Sequence, residues 1–242
     1  MLRVGARVPW RRAVAEFFVI VLGVLVALGA DAWNDNRLDR KEEQEYLRRL
    51  QHELQRDTSQ YGFTLGWMDR KEAGLDRLER FLKATSPAVS DTAQFLSDLA
   101  ASSNFGWNVG PLGGRATYED LRSSGKLGII RNHDLRTSVI AYYESADSED
   151  RRIEARRTEY PRIAYRLIPS ARTAEPGRFG ASEQVASGDL DGLLRAIRSS
   201  DLASHIVAER NRALFIRNVV SSLRAETLQL LEDITMELEG HH

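Results

Sequence analysis

Imidazoles and carboxylates at ligand spacing are the first place to look for chemistry in this chain, and His205 and Glu209, four residues apart, are the pair that fits. No second His–carboxylate pair accompanies them, so they read as a solvated helix face and no metal is expected. His52 and His133 are the other internal imidazoles, while His241 and His242 end the chain and resemble a tag remnant. Ser123-Ser124-Gly125-Lys126 looks superficially like a phosphate loop. That loop requires Gly where this chain has Asp120 and Ser or Thr where it has Leu127. Gly110-Pro111-Leu112-Gly113-Gly114 lacks the strand and helix around a dinucleotide fingerprint. Asp147, Glu149 and Asp150, followed by Arg151 and Arg152, read as a solvated charge run. With no cysteine, thiol catalysis, disulfides and Cys-based zinc sites are excluded. No catalytic, cofactor-binding or metal residue is therefore expected, and no cofactor. Phe105 and Trp107 in a glycine-rich loop, with Arg115 beside it, remain as binding candidates, because exposed loop aromatics anchor partners when they do not fold back as a plug. Arg115, Tyr118 and Glu119 are the residues a small-ligand-binding or hydrolytic site there would use.

The elements that would carry such residues begin with an apolar run. Ala13 to Ala30 reads AVAEFFVIVLGVLVALGA with Glu16 as its one charge. At ~1.5 Å per residue it spans about 27 Å, close to the hydrocarbon thickness of a bilayer. Trp10 and Trp33 flank it, where indoles favour the two interfaces. Glu16 lies four residues after Arg12, so the two share a helix face and the carboxylate can reach headgroup water. The alternative for Glu16 is a carboxylate between associating helices, in a partner interface or an ion pathway. Gly23 and Ala27 form a small-xxx-small pair that permits close helix approach. A cleaved signal peptide is the rival reading, since Ala30-Asp31-Ala32 has the form of a cleavage site.

Residues 1–12 hold Arg3, Arg7, Arg11 and Arg12 and no acid, and the remainder carries 30 basic and 35 acidic side chains. Basic residues favour the cytoplasmic side, so the expectation is a cytoplasmic N-terminus (1–12), a span (13–33) and an extracytoplasmic domain (34–242), periplasmic if the membrane is a bacterial inner membrane. An excess of acids over that domain argues against nucleic acid as a partner.

Beyond the span, Leu47, Leu50, Leu54, Tyr61, Leu65, Met68, Leu75, Leu78 and Leu82 follow spacings of three and four. They predict a helix from Asn36 to about Lys83, with Gly62, Gly66 and Gly74 as places for a bend. A short helix follows Ser90, and residues 102–116 form a loop. Thr117 and Asp120 suggest a capping box for a brief helix ending at Gly125. Asn132 caps the next helix, which buries Leu135, Val139, Tyr142, Tyr143 and Ala146, kinks or restarts at Pro161 and stops by Pro169. Residues 170–188 read as a mobile connection, Asp189 starts a short helix, and Asp201 caps the last. That helix has Leu202, Ile206, Ala213, Ile216, Val220, Leu223, Thr227, Leu230, Ile234 and Leu238 at heptad-like spacing. Leu127–Ile130 is the one candidate strand. The fold expected is all-α: a transmembrane helix followed by an antiparallel bundle of long helices, whose stripes form either the bundle core or a coiled-coil seam between protomers.

Two stretches resemble an uncharacterised family of bacterial single-pass membrane proteins. Glu16–Asn36, EFFVIVLGVLVALGADAWNDN, resembles its Glu-led apolar helix and Trp-containing turn, followed by a charged helix with Tyr46-Leu47 and Leu50. Thr117–Ile130, TYEDLRSSGKLGII, with Tyr142-Tyr143, resembles its central motif, and the two together cover about a third of the chain. Ala32 departs from the polar residue usual before the Trp. The resemblance implies a membrane location and a helical fold but no activity. The function expected is a membrane-anchored interaction or sensory-scaffold protein, with the lipid bilayer, a second copy of itself and a protein partner as its contacts. The alternatives are the ligand-binding or hydrolytic domain above and a subunit of an ion-conducting assembly using Glu16.

Overall fold

The computed structural model describes residues 10–84, 95, 98–99, 101–102, 112–167 and 190–240. At 11–13, 15, 165 and 190 only the backbone is described. All of it is helix and connection, with no strand among the described residues.

Helix α1 runs unbroken from Trp10 to Lys83, 74 residues, or ~110 Å at 1.5 Å per residue. It continues as α2 (Ala116–Ser123), a 3-10 turn (Lys126–Ile129), α3 (His133–Glu154), α4 (Tyr160–Leu167), α5 (Leu190–Ser199) and α6 (Leu202–Glu239). The glycines expected to bend or break α1 do not interrupt it. Gly62 and Gly66 face open space, and Gly74 serves a close approach instead: a Cβ there would lie 2.6 Å from the Asp98 carbonyl oxygen. The candidate strand at Leu127–Ile130 is the 3-10 turn, entered through Gly125 at φ +71°, a left-handed conformation that glycine adopts without strain. Asn132 caps α3 as its type dictates, accepting the N–H groups of Asp134 and Leu135 at 3.1 Å. Asp201 occupies the N-cap position of α6 without a side-chain bond, and the Ser200 hydroxyl accepts the Leu202 N–H instead. Pro161 stands in the first turn of the restarted helix α4, where its missing N–H costs no hydrogen bond. The expectations for residues 85–94 and 168–189 lie outside the described residues.

α1 and α6 pair antiparallel. Gln51 Nε2 donates to Thr235 Oγ1 at 2.9 Å, Lys71 pairs with Glu209, and Arg210 meets Asp76 at 2.8 Å. The buried stripes of both helices face each other and α3 within one chain, so neither remains as a seam between protomers. Their side chains form two separate cores. The near core, closer to the apolar end of α1, joins α1 from Tyr46 to Met68 with α2, α3 and α6 from Ala213 to Ile234. The far core joins Leu75, Leu78 and Phe81 to Leu99, Tyr160, Ala164, Ile197, Leu202 and Ile206. Each buried leucine contributes about 1.5–3 kcal/mol relative to exposure.

Between the cores lies a charged layer. Lys71 Nζ pairs with Glu209, both side chains almost fully buried, and the Thr158 hydroxyl donates to Glu209 Oε2. Burial pushes the Lys71 ammonium below its usual pKa, against the pull of Glu209.

Candidate functional site

The most elaborate arrangement of chemical groups is the place where residues 112–131 dock on α1 and α3. Four carboxylates hold it by accepting main-chain N–H groups. Asp150 accepts from Leu112 at 3.0 Å, Asp57 Oδ1 from Gly114 at 2.8 Å, Glu53 from Thr117 at 3.1 Å, and Glu43 from Arg131 at 2.7 Å. Glu53 also accepts the Thr117 hydroxyl at 2.7 Å. This corrects the expected capping box. Arg115 is the N-cap residue of α2 with no side-chain cap, and Thr117 lies inside the helix. A carboxylate from α1 supplies the cap, placed where the helix N-terminus favours negative charge.

Arg115 closes the turn from outside, donating to Asp147 at 2.7 Å and Asp150 at 2.9 Å. Asp147 and Asp150 are therefore structural partners rather than the solvated run the sequence suggested. The guanidinium groups of Arg115 and Arg151 hold the Asp147 carboxyl below its ordinary pKa, whereas burial pushes Asp150 up.

Under the turn sit tyrosines. Tyr61 and Tyr142 hydroxyls are 3.1 Å apart, Thr227 Oγ1 is 3.1 Å from Tyr142, and the Tyr118 ring stacks on Tyr143 at 4.4 Å. Gly113, at φ +85°, allows the backbone to lie on them: a Cβ there would meet Tyr142 Oη at 3.3 Å and both Asp57 Oδ2 and Tyr61 Oη at 3.5 Å. Asp57 Oδ2 and Tyr143 Oη are buried and have no hydrogen-bond partner among the described residues. Desolvation raises the Asp57 carboxyl above its usual pKa, with the Glu53 charge adding to it and the Gly114 N–H opposing. Burial likewise raises the phenols of Tyr61, Tyr142 and Tyr143.

Chemically this is a clamp. Its acids are occupied by backbone amides, its arginine by two aspartates, and its rings by one another. An open cleft of ≈480 Å³ lies elsewhere, between the start of α3 and the end of α6, lined by Asn132, Asp134, Leu135, Ser138, Asp233, Met236, Glu237 and Gly240.

Of the other residues singled out by sequence, Phe105 and Trp107 lie outside the described residues. Arg115 belongs to the clamp, Tyr118 is buried in the near core, and Glu119 is exposed. His205 lies 3.6 Å from Asp201, and Glu209 turns inward to Lys71 rather than standing on a solvated face. Among the described residues, no group of three or more His, Cys, Asp or Glu could hold a metal. Lys126 pairs with Glu42 at 2.6 Å. Arg11 and Arg12 lie in the first turn of α1. Trp10, Glu16 and Trp33 are exposed on it, and Gly23 and Ala27 share its exposed apolar stretch. Sequence reasoning missed Glu43, Glu53, Asp57 and Lys71, although Glu43, Asp57 and Lys71 fall on the seven-residue repeat of the α1 stripe.

Fold and site together define an all-α protein whose first helix is long and apolar at its start and is clamped into a bundle further along. Residues 16–149 match a family of unknown function, DUF6090, and the chain belongs to that family. No curated protein matches it, and no solved structure does.

Proposed function

We propose that the chain is a single-pass membrane protein that holds a helical interaction or sensory-scaffold module close to the bilayer. Residues 13–33 are its span, residues 1–12 lie in the cytoplasm, and residues 34–242 lie on the other side, in the periplasm if the membrane is a bacterial inner membrane. The observation that carries this reading is the exposed start of α1. Phe17, Phe18, Val19, Ile20, Leu22, Val24, Leu25, Val26 and Leu28 are 53–70% exposed. The most apolar 18-residue window of the helix has a mean hydropathy of 1.9, and none of it is buried. Contiguous apolar surface of this kind mates with lipid or with another apolar face.

The same helix then enters the near core without a break. Arg131, from the tip of the bundle, reaches Asn36 Oδ1 at 3.2 Å. Asn36 is three residues past Trp33, about 4.5 Å of helical rise, so the tip would stand at headgroup level. The clamp argues for a module that works by shape. Arg115, the cation a ligand in the 102–116 loop would have used, is already neutralised by two aspartates.

Carbonate extraction of membranes, with topology reporters fused at Met1 and at His242, tests this. The expected result is retention in the pellet, a cytoplasmic signal at Met1 and an extracytoplasmic one at His242. Release into the supernatant, or a mature chain starting near Trp33, would overturn the anchor.

A further inference from the structure

Helix α6 has a second stripe that the bundle does not use. On a surface helix the face opposite the core is ordinarily charged. On α1 the outward positions Glu45, Arg56, Arg70 and Arg77 obey this, while Ser59, Phe63 and Gly66 between them are exceptions. The outward face of α6 does not. Val207, Leu214 and Leu228 lie on the side away from its buried stripe and are 54%, 39% and 47% exposed. Asn211, Asn218, Ser221 and Ala225 fill the positions between them, all exposed. From Val207 to Leu228 the spacing is four, three, four, three, four, three, the period of a helix–helix seam. Arg210, at the edge of the stripe, turns away to Asp76 and Glu79 on α1.

We propose that two copies of this chain in one membrane pair side by side through this stripe, with their α6 helices parallel. This rests on the anchored reading above, because a shared bilayer fixes direction. α1 leaves the membrane the same way in every copy and α6 runs antiparallel to it, so two neighbouring α6 helices point the same way. The closed symmetry available is a twofold axis along the membrane normal, which sets each residue against itself.

Three features single out a second copy rather than a different partner. The seven positions of the stripe are themselves uncharged. Of the arginines along its edge, Arg210 and Arg217 are neutralised by acids of α1, which leaves Arg224 as the one exposed charge beside the seam. Asn218 opposite Asn218 is self-complementary, since each amide both donates and accepts, and asparagine in such a seam fixes register and a two-stranded state. Ser221 and Ala225 let the backbones come close.

The stripe is about 32 Å long and one helix, roughly 10 Å, wide. That is on the order of 320 Å² per copy, below the roughly 800 Å² per partner of a stable interface. The pairing therefore depends on confinement in the bilayer, where tethering raises the effective concentration.

The chain has no cysteine, so single-cysteine variants of the full-length protein report proximity without background. Leu214→Cys, Asn218→Cys and Leu228→Cys lie on the stripe, and Glu226→Cys lies off it. All four positions are exposed, so none disturbs a core. After mild oxidation of native membranes, disulfide-linked dimer is expected at positions 214, 218 and 228, at least fivefold above Glu226→Cys. Adding Leu214→Lys and Leu228→Lys to Asn218→Cys should return its linkage to the Glu226→Cys level. An antiparallel pair would link Asn218→Cys while leaving Leu214→Cys and Leu228→Cys unlinked, which overturns the parallel assignment. A chain that survives carbonate extraction but links no better on the stripe than off it overturns the pairing while leaving the anchor intact. A chain released by carbonate overturns the shared-bilayer argument along with the anchor.

Discussion

The near and far cores are built from the same two helices but stabilised in different ways. In the near core, carboxylates of α1 and α3 accept backbone amides from a turn and so fix the path of the main chain itself. Among the described residues of the far half, most polar contacts between elements join side chains to one another, as in the Arg77–Asp98 fork, the Arg210 pairs with Asp76 and Glu79, and Tyr160 donating to Ser102 at 2.9 Å, while Arg198 donates to the Ala84 carbonyl at 2.9 Å. A bond to a backbone amide survives changes in the residue that donates it, whereas a pair of side chains is lost with either partner. The family match follows this division in part. It ends at residue 149, before α4, α5 and α6, although α6 covers the α1 stripe in both halves.

The largest expected effect lies at the boundary. Glu209→Leu leaves the Lys71 ammonium buried without its partner and should cost about 3–5 kcal/mol in denaturant unfolding of the purified protein. Lys71→Met combined with Glu209→Leu should recover most of that and merge the two cores into one cooperative unit. If the double variant is no better than the single one, the charged layer is not what separates them.

A smaller effect sharpens the view of the near core. Gly113→Ala places a Cβ at φ +85° against the Tyr142 hydroxyl and should destabilise by about 1–2 kcal/mol. Gly62→Ala, in open space on the same bundle, should stabilise by about 0.5–1 kcal/mol. Equal responses at the two glycines would mean that the turn is not held down where it is described.

The smallest effect is a difference in pH response. The Asp57 carboxyl has a folded pKa above its unfolded value of about 3.8, so the folded state binds the extra proton. Its contribution to stability therefore falls as pH rises from that value through the raised one, and is flat above it. Glu79 in the far half is the opposite case. Its pKa is lowered to about 2 by Lys83 and Arg210, and its contribution, present above 4.5, is lost as pH falls towards 2. Asp57→Asn keeps an acceptor for the Gly114 N–H and should reduce the near-core dependence to the part contributed by Asp150, while leaving far-core loss in acid unchanged. Hydrogen exchange resolved by segment between pH 3 and 7 would show both. A pH profile in the near half identical to that of the unaltered protein would exclude Asp57 as its source.

Much of the scaffold was legible because periodicity survives in the letters. One seven-residue series in α1 is Leu47, Leu54, Tyr61, Met68, Leu75 and Leu82, and it reads as a stripe at once. Its companion is Glu43, Leu50, Asp57, Thr64, Lys71 and Leu78. Every member is buried, yet four are polar, and counting only apolar residues passed over those four. The Asn132 cap and the Gly125 turn were legible because each depends on the type of its own residue. The clamp was not. Glu53 accepts the N–H of Thr117, 64 residues away, and a main-chain amide leaves no mark in the sequence because nearly every residue has one. The misread glycine is instructive in the same way: Gly74 looked like a joint, and its purpose lies in the Asp98 carbonyl packed against it.

That missing joint has a mechanical consequence. From Glu16 to Lys71 there are 55 residues of helix, ~80 Å, with no break among them to absorb a twist. A rotation or axial push applied at the apolar end of α1 is delivered to the clamped turn and then to the buried ion pair, with only the helix's own elasticity to weaken it. The rod is a transmission shaft, and the Lys71–Glu209 layer is where its torque meets the far half of the bundle.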